Sequence, residues 1–260
     1  MKNLTDIKFI RALLKRAGQL SLERRWKFNT YNKKNGESIT DVDIEIGNYL
    51  SNTISAHFPE DSIECEDGST RKTVTNSTVW YIDPLDGTTN YIHGLPFFAI
   101  SISRYDRKRS IFLSSGIYIP FYNQLFLAYG DTIAELNGQQ LKVSDNKNLK
   151  ESLVLTGLSL NVKENGKEAK KFMRISSISG GTRRTGSAAF DLCHVACGFA
   201  DAYYHFKLKQ WDIAAGSHLV INAGGKVSNM RSLNTLNLYE GTIIATNGSV
   251  HKKLFKELTQ

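Results

Sequence analysis

Residues 80–100 read WYIDPLDGTTNYIHGLPFFAI, running from an apolar strand end through two aspartates three residues apart and a Gly-Thr-Thr-Asn turn into a second β-rich run. Asp83 and Asp86 cannot both be withdrawn from water as carboxylates without a counter-charge or several hydrogen-bond donors. A hard divalent cation supplies one. Gly87 lets the backbone approach a ligand closely, and the N–H groups around Thr88 and Thr89 can converge on an anion. Acid ligands beside anion donors suit Mg²⁺, which binds a few carboxylates together with substrate phosphate and keeps several waters. The stretch therefore reads as a metal-assisted phosphate site at the end of a strand. In an all-oxygen setting His93 is read as a packing or hydrogen-bonding residue.

Upstream, residues 3–28 predict a long amphipathic helix with apolar Ile7, Ile10, Leu13 and Leu14, and residues 31–38 a polar loop. A second helix follows from a cap at Thr40 or Asp41 to about His57, with Ile44, Ile46, Leu50 and Ile54 on its apolar side. Asp43 lies in its first turn, where the helix dipole favours a carboxylate, so capping and catalysis both fit it. Residues 62–66 form a short strand that ends on Glu66 and Asp67, and residues 78–82 the strand that carries Asp83. If those two strand ends lie side by side, three carboxylates share one cleft.

Downstream, residues 97–105, 111–119, 124–129 and the pair flanking Asn137-Gly138 predict an antiparallel meander, Asn-Gly being a strong hairpin signal. A strand at 152–156, a helix at 167–174 and a flexible break at Gly180-Gly181 follow. Gly186-Ser187-Ala188-Ala189 opens a helix through Cys197, whose first N–H groups form a second candidate anion or hydroxyl site. Cys193, His194 and Cys197 share that helix, but zinc wants four such ligands and the residues read as buried. A strand at 200–205 leads to a helix beginning at Trp211-Asp212, where capping and ligation both fit Asp212. A strand at 242–246 and a helix at 249–258 close the chain.

The 260 residues, 41% hydrophobic and 22% charged, suffice for a large core. With no repeat, low-complexity tract or long linker, the reading is one domain over residues 1–260. Three cysteines form no disulfide framework and point to a reducing compartment. No apolar run reaches the length of a membrane span, and the expected location is cytoplasmic, with no membrane partner. The net charge of +8 favours anionic ligands. The basic residues are scattered, without the aromatic interleaving of a nucleic-acid-binding module.

Two motifs in order, Asp83-Pro84-Leu85-Asp86-Gly87-Thr88-Thr89-Asn90-Tyr91 and Trp211-Asp212-Ile213-Ala214-Ala215-Gly216 leading to Ala223-Gly224-Gly225, resemble the signatures of the inositol monophosphatase family. These are lithium-sensitive, Mg²⁺-dependent phosphatases. Supporting matches at residues 40–43, Glu66-Asp67, 136–138, 183–189 and 200–204 extend the resemblance over nearly the whole chain. It is nearest to the bacterial branch, with its Arg-Arg-Thr-Gly-Ser-Ala-Ala-x-Asp-Leu run. The resemblance implies an α/β fold, a layered αβαβα sandwich, commonly a homodimer, with the site between its halves. It implies that Glu66, Asp83 and the Leu85 carbonyl hold one Mg²⁺, that Asp83, Asp86 and Asp212 hold a second, and that Glu66 approaches a third through water. Gly87 and Thr88 would grip the phosphate by their backbone. Thr88, hydrogen-bonded to Asp43, would orient or deprotonate the attacking water, with Gly186, Ser187, Ala188 and His205 reading the rest of the substrate.

Two positions depart from the family pattern. His205 stands where many members carry a glutamate that binds ring hydroxyls, and Asn222 where an acid or glutamine precedes Ala-Gly-Gly. The family's loop lysine matches neither Lys33 nor Lys34 cleanly. The expected substrate is inositol 1-phosphate or a related small polyol or sugar phosphate, hydrolysed with Mg²⁺. Fructose 1,6-bisphosphate, histidinol phosphate and 3′-phosphoadenosine 5′-phosphate are the alternatives within the same chemistry. Bacterial members also suggest an interaction role in transcription complexes or RNA processing.

Overall fold

The computed structural model describes residues 2–33, 36–69, 77–159 and 166–260, with side chains from residue 6 onward. Helix α1 (Lys2–Glu23) buries Ile7, Ile10, Leu13, Leu14 and Ala17, a three-and-four spacing that forms one apolar stripe. It stops short of the expected residue 28, because the chain leaves the helix after Glu23 and Trp26 takes a φ of +75°. The expected polar loop instead contains an antiparallel hairpin of β1 (Thr30–Asn32) and β2 (Ser38–Thr40). The strands are three residues each and β1 is wholly exposed, so no alternation announces them.

Helix α2 (Asp41–His57) is capped by Thr40 and buries Val42, Ile46, Leu50 and Ile54 at four-residue intervals. Ile44, expected on that face, is 40% exposed, because two residues of helical rotation turn it away from Val42.

Next come β3 (Ser62–Cys65), β4 (Thr78–Asp86), α3 (Thr88–Ile92), β5 (Ala99–Asp106), β6 (Ile111–Ile119), β7 (Gln124–Tyr129), β8 (Ile133–Leu136) and β9 (Gln139–Gln140). The strands form one sheet in sequence order, parallel between β3 and β4 and antiparallel thereafter. At the β8–β9 hairpin Asn137 and Gly138 both have positive φ, the conformation a two-residue turn of this kind requires.

The rest of the chain supplies β10 (Leu153–Thr156), α4 (Lys167–Ile178), β11 (Gly181–Arg183), α5 (Ala188–Ala196), β12 (Ala202–His205), α6 (Gln210–Asn222), β13 (Lys226–Ser228), β14 (Ile243–Thr246) and α7 (His251–Thr259). The second sheet has the order β11-β10-β12-β14-β13. Gly180-Gly181 is not a flexible break. Gly181 opens β11, and a side chain at Gly180 would meet the Glu151 backbone at 2.7 Å, so close packing dictates the glycine there.

Alternating side chains sort the strands into layers. Trp80, Ile82, Ile100 and Ile102 pack with α1 and α2, whereas Val79, Tyr81, Ala99 and Ile117 face α5 and α6. From the second sheet, Leu155, Tyr203, Ile243 and Ala245 meet the same two helices, and Val154, Tyr204 and Ile244 face α4 and α7. The result is a five-layer αβαβα fold whose middle helices serve both sheets. No helix among the described residues is long and apolar enough to cross a membrane.

Candidate active site

A cavity of about 710 Å³ opens where the C-terminal ends of β3 and β4 meet the starts of α3, α5 and α6. The parallel pairing sets Cys65 opposite Ile82, and the Glu66 N–H donates to the Ile82 carbonyl at 3.1 Å. Glu66 and Asp83 therefore leave adjacent strands at the same end. The β4–β5 register shifts between Asp83 and Asp86, an irregularity of the kind that re-aims side chains at the rim of a sheet. Asp212, in the first turn of α6, joins them: one carboxylate oxygen from each of Glu66, Asp83 and Asp212 lies within 4.8 Å of the others. Among the described residues this is the single cluster with metal-ligand spacing, and Cys193, His194 and Cys197 belong to no such set.

Burial, followed by repulsion from Glu66, raises both Asp83 and Asp212 well above the ordinary carboxylate range. Asp83 also accepts the Leu85 N–H at 3.1 Å, and Asp212 the Lys209 N–H at 2.7 Å, so Asp212 is at once a helix cap and a member of the cluster. Lys33, at the end of β1, donates to Glu66 at 2.7 Å. Burial alone would lower its pKa, but the neighbouring Glu66 and Asp83 outweigh that and raise it. Of the two lysines the sequence left open, Lys33 reaches the cluster, while Lys34 lies outside the described residues. One ammonium offsets one of three crowded carboxylates. The all-oxygen donor set and its residual negative charge fit a hard divalent cation.

Asp86 stands slightly apart from the three. Its Oδ2 accepts from the Ser187 hydroxyl and the Ala189 N–H, each at 2.6 Å. The anion at the start of α5 is therefore the chain's own Asp86, and the Ser187 hydroxyl is committed to it and to capping Phe190. Burial pushes Asp86 up to about 6 against these donors.

Asp43 lies buried behind the cavity lining and reaches it through Thr88. Its Oδ2 accepts from the backbone and hydroxyl of Thr40, and its Oδ1 from the Thr88 hydroxyl at 2.9 Å. Capping and a place beside Thr88 are realised together. The single Thr88 hydroxyl hydrogen faces two acceptors, Asp43 and the Leu85 carbonyl at 3.0 Å. Gly87 is the left-handed residue that starts α3, at φ +92°, and a side chain there would meet the Phe97 carbonyl at 2.7 Å. The Gly-Thr-Thr-Asn turn is the first turn of this short helix, whose initial N–H groups have no intrahelical partner.

Gly186, Ala188 and His205 also line the cavity. His205 is 8% exposed, accepts the Lys207 N–H at Nδ1 over 3.0 Å, and is pushed by burial to about 4. His93 is exposed at the end of α3. Asn222 lies outside the cavity, donating to the Gly130 and Ile133 carbonyls, so its departure from the family pattern bears on how α6 meets β7 and β8. Arg184, Lys207 and Lys209 line the cavity too. Sequence reasoning passed over the two lysines, although their alternation just before Trp211-Asp212 was a signal for one shared face.

Comparison with known proteins agrees with this arrangement. The family model described as the inositol monophosphatase family matches residues 3–260. An inositol-1-monophosphatase from Synechocystis sp. is 36% identical over 224 residues, covering 86% of this chain and 77% of that protein. The Nus factor SuhB of Vibrio cholerae is 32% identical over 242 residues, covering 92% and 89%. The structure of an inositol monophosphatase from Anabaena (Nostoc) sp. superposes with a TM-score of 0.88 at 33% identity, covering 100% of this chain and 97% of the other.

Proposed function

The chain belongs to the inositol monophosphatase family, and from that premise we propose that it is a Mg²⁺-dependent phosphomonoesterase acting on a small polyol or sugar phosphate such as inositol 1-phosphate. The observation that carries the reading is the cluster of Glu66, Asp83 and Asp212 beside the hydrogen-bonded pair Thr88 and Asp43. Glu66, Asp83 and the Leu85 carbonyl would hold one Mg²⁺, and Asp83, Asp86 and Asp212 a second. Bound there, the ions neutralise phosphoryl charge and acidify water.

The protein's own groups do the rest. Thr40 saturates Asp43 Oδ2, which leaves Oδ1 free to take the Thr88 hydrogen. With its hydrogen so directed, the Thr88 oxygen presents a lone pair to the cavity. A water there can pass a proton to Thr88 as Thr88 passes its own to Asp43, while the water oxygen attacks phosphorus in line. The N–H groups at Gly87 and Thr88 hold the phosphate oxygens. The P–O bond to the alcohol breaks as the new one forms, the departing alkoxide takes a proton from solvent and Asp43 returns its proton to solvent, so the products are the alcohol and inorganic phosphate, without a covalent enzyme intermediate.

The test is phosphate release by the purified protein with and without Mg²⁺ over inositol 1-phosphate, fructose 1,6-bisphosphate, histidinol phosphate and 3′-phosphoadenosine 5′-phosphate. Mg²⁺-dependent release, inhibited by Li⁺ and Ca²⁺ and abolished by Asp83→Asn, is expected. Release from none of the esters would overturn the reading. The working form is taken to be a cytoplasmic homodimer. A second reading, an interaction role in transcription, is supported by the name of the Vibrio cholerae relative. A cellular phenotype that survives Asp83→Asn would favour it.

A further inference from the structure

The cavity is divided by charge. Glu66, Asp83 and Asp86 line it at the ends of β3 and β4, with Asp212 at the start of α6 and Lys33 and Glu37 also in the lining, whereas Arg184, His205 and Lys207 line its wall at the ends of β11 and β12, and Lys209 adjoins Asp212. Arg184, Lys207 and Lys209 are exposed and enter no ion pair among the described residues. The acids nearest this wall are already engaged. Glu168 accepts the backbone and hydroxyl of Ser159, and buried Asp191 accepts the Thr185 hydroxyl at 2.7 Å.

His205 adds a donor. Its Nδ1 accepts the Lys207 N–H, so the hydrogen of the neutral ring sits on Nε2, which has no hydrogen-bond partner among the described residues. The ring fits because position 157 is glycine: a Cβ there would lie 2.3 Å from it. Every hydroxyl of a neutral polyol has a hydrogen to place as well as lone pairs to fill. The charged side chains and the imidazole of this wall can only donate. An anionic oxygen matches them fully, and charge-assisted bonds to it are the stronger kind.

Resting on the phosphatase reading, we propose that the substrate carries a second anionic group, a phosphate or a carboxylate, held by Arg184, His205 and Lys207 on the second-sheet side of the cavity. Among small polyol and sugar phosphates, a bis-anionic ester is then a better substrate than a neutral monophosphate of similar size.

Two matched pairs test this: fructose 1,6-bisphosphate against fructose 1-phosphate, and 6-phosphogluconate against sorbitol 6-phosphate. With Mg²⁺, kcat/KM for the first release of phosphate should favour the bis-anionic member of at least one pair by about tenfold or more, and added salt should erode that margin. In the Arg184→Ala/Lys207→Ala variant the ratio within the preferred pair should fall toward one. Because a ratio is read, activity loss common to both members cancels. Ratios near one in both pairs for the unaltered chain, or a preference the variant leaves intact, would overturn the proposal. Calorimetric titration of the same esters with Ca²⁺ in place of Mg²⁺ reads the preference without turnover. A chain that releases no phosphate yet binds the bis-anion about tenfold tighter would overturn the hydrolase reading and retain this one. Equal binding would overturn this one.

Discussion

Thr88 has one hydroxyl hydrogen and two acceptors, and the proposed chemistry depends on that hydrogen going to Asp43. Thr88→Ala should lower kcat by about 10²- to 10⁴-fold, the usual contribution of a positioned proton-transfer group, with the circular dichroism unchanged. Thr88→Ser, which keeps the hydroxyl, should retain most of the activity. The neighbourhood of His205 is equally local. In Gly157→Ala the added methyl would overlap the imidazole, so the ring must leave its place, at a cost of about 1–3 kcal/mol in urea denaturation. These residues were unevenly legible. The paired aspartates and Gly-Thr-Thr announce themselves by spacing, and His205 by standing where a glutamate is usual. Which way its ring hydrogen points depends on the Lys207 N–H, a backbone group whose direction no composition or periodicity encodes.

Between elements, Asp86 at the end of β4 receives the Ser187 hydroxyl and the Ala189 N–H from the start of α5, tying the first sheet to the central helices. Ser187→Ala removes both that donor and the helix cap. It should destabilise the chain by about 1–2 kcal/mol, read as a lower urea midpoint at unchanged slope. A side chain that left this tie unaffected would give no shift in midpoint. The long elements were readable, because Ile111–Ile119 and Gln124–Tyr129 run long enough to show their character, as does α2 through its cap and apolar period. The β1–β2 hairpin, β13 and α3 were not. They are three to five residues long, too short for a period to repeat. The hairpin matters because it delivers Lys33 to Glu66.

Across the whole molecule, Asp83, Asp86 and Asp212 have folded pKa values above the ordinary carboxylate value of about 4. Without a cation the folded chain therefore holds protons that the unfolded chain has released. Its stability from these groups is fully present below about pH 4 and is lost as pH rises through the folded values, about 6 for Asp86. Mg²⁺ needs the same groups deprotonated, so its stabilisation grows in the opposite direction. The Mg²⁺-induced rise in Tm should be larger at pH 7.5 than at pH 5, and an equal rise at both would count against these carboxylates as the ligands. The layering that gathers them has a kinetic corollary. Lys33, Glu66, Asp83 and Asp212 come from a hairpin, two parallel strand ends and a central helix, so the cluster exists only once the first sheet has closed on α6 and received the hairpin. Contacts of such long sequence separation form late. Mg²⁺ should then leave the refolding rate nearly unchanged and slow unfolding, making the ion a latch on the finished structure and no guide to its assembly.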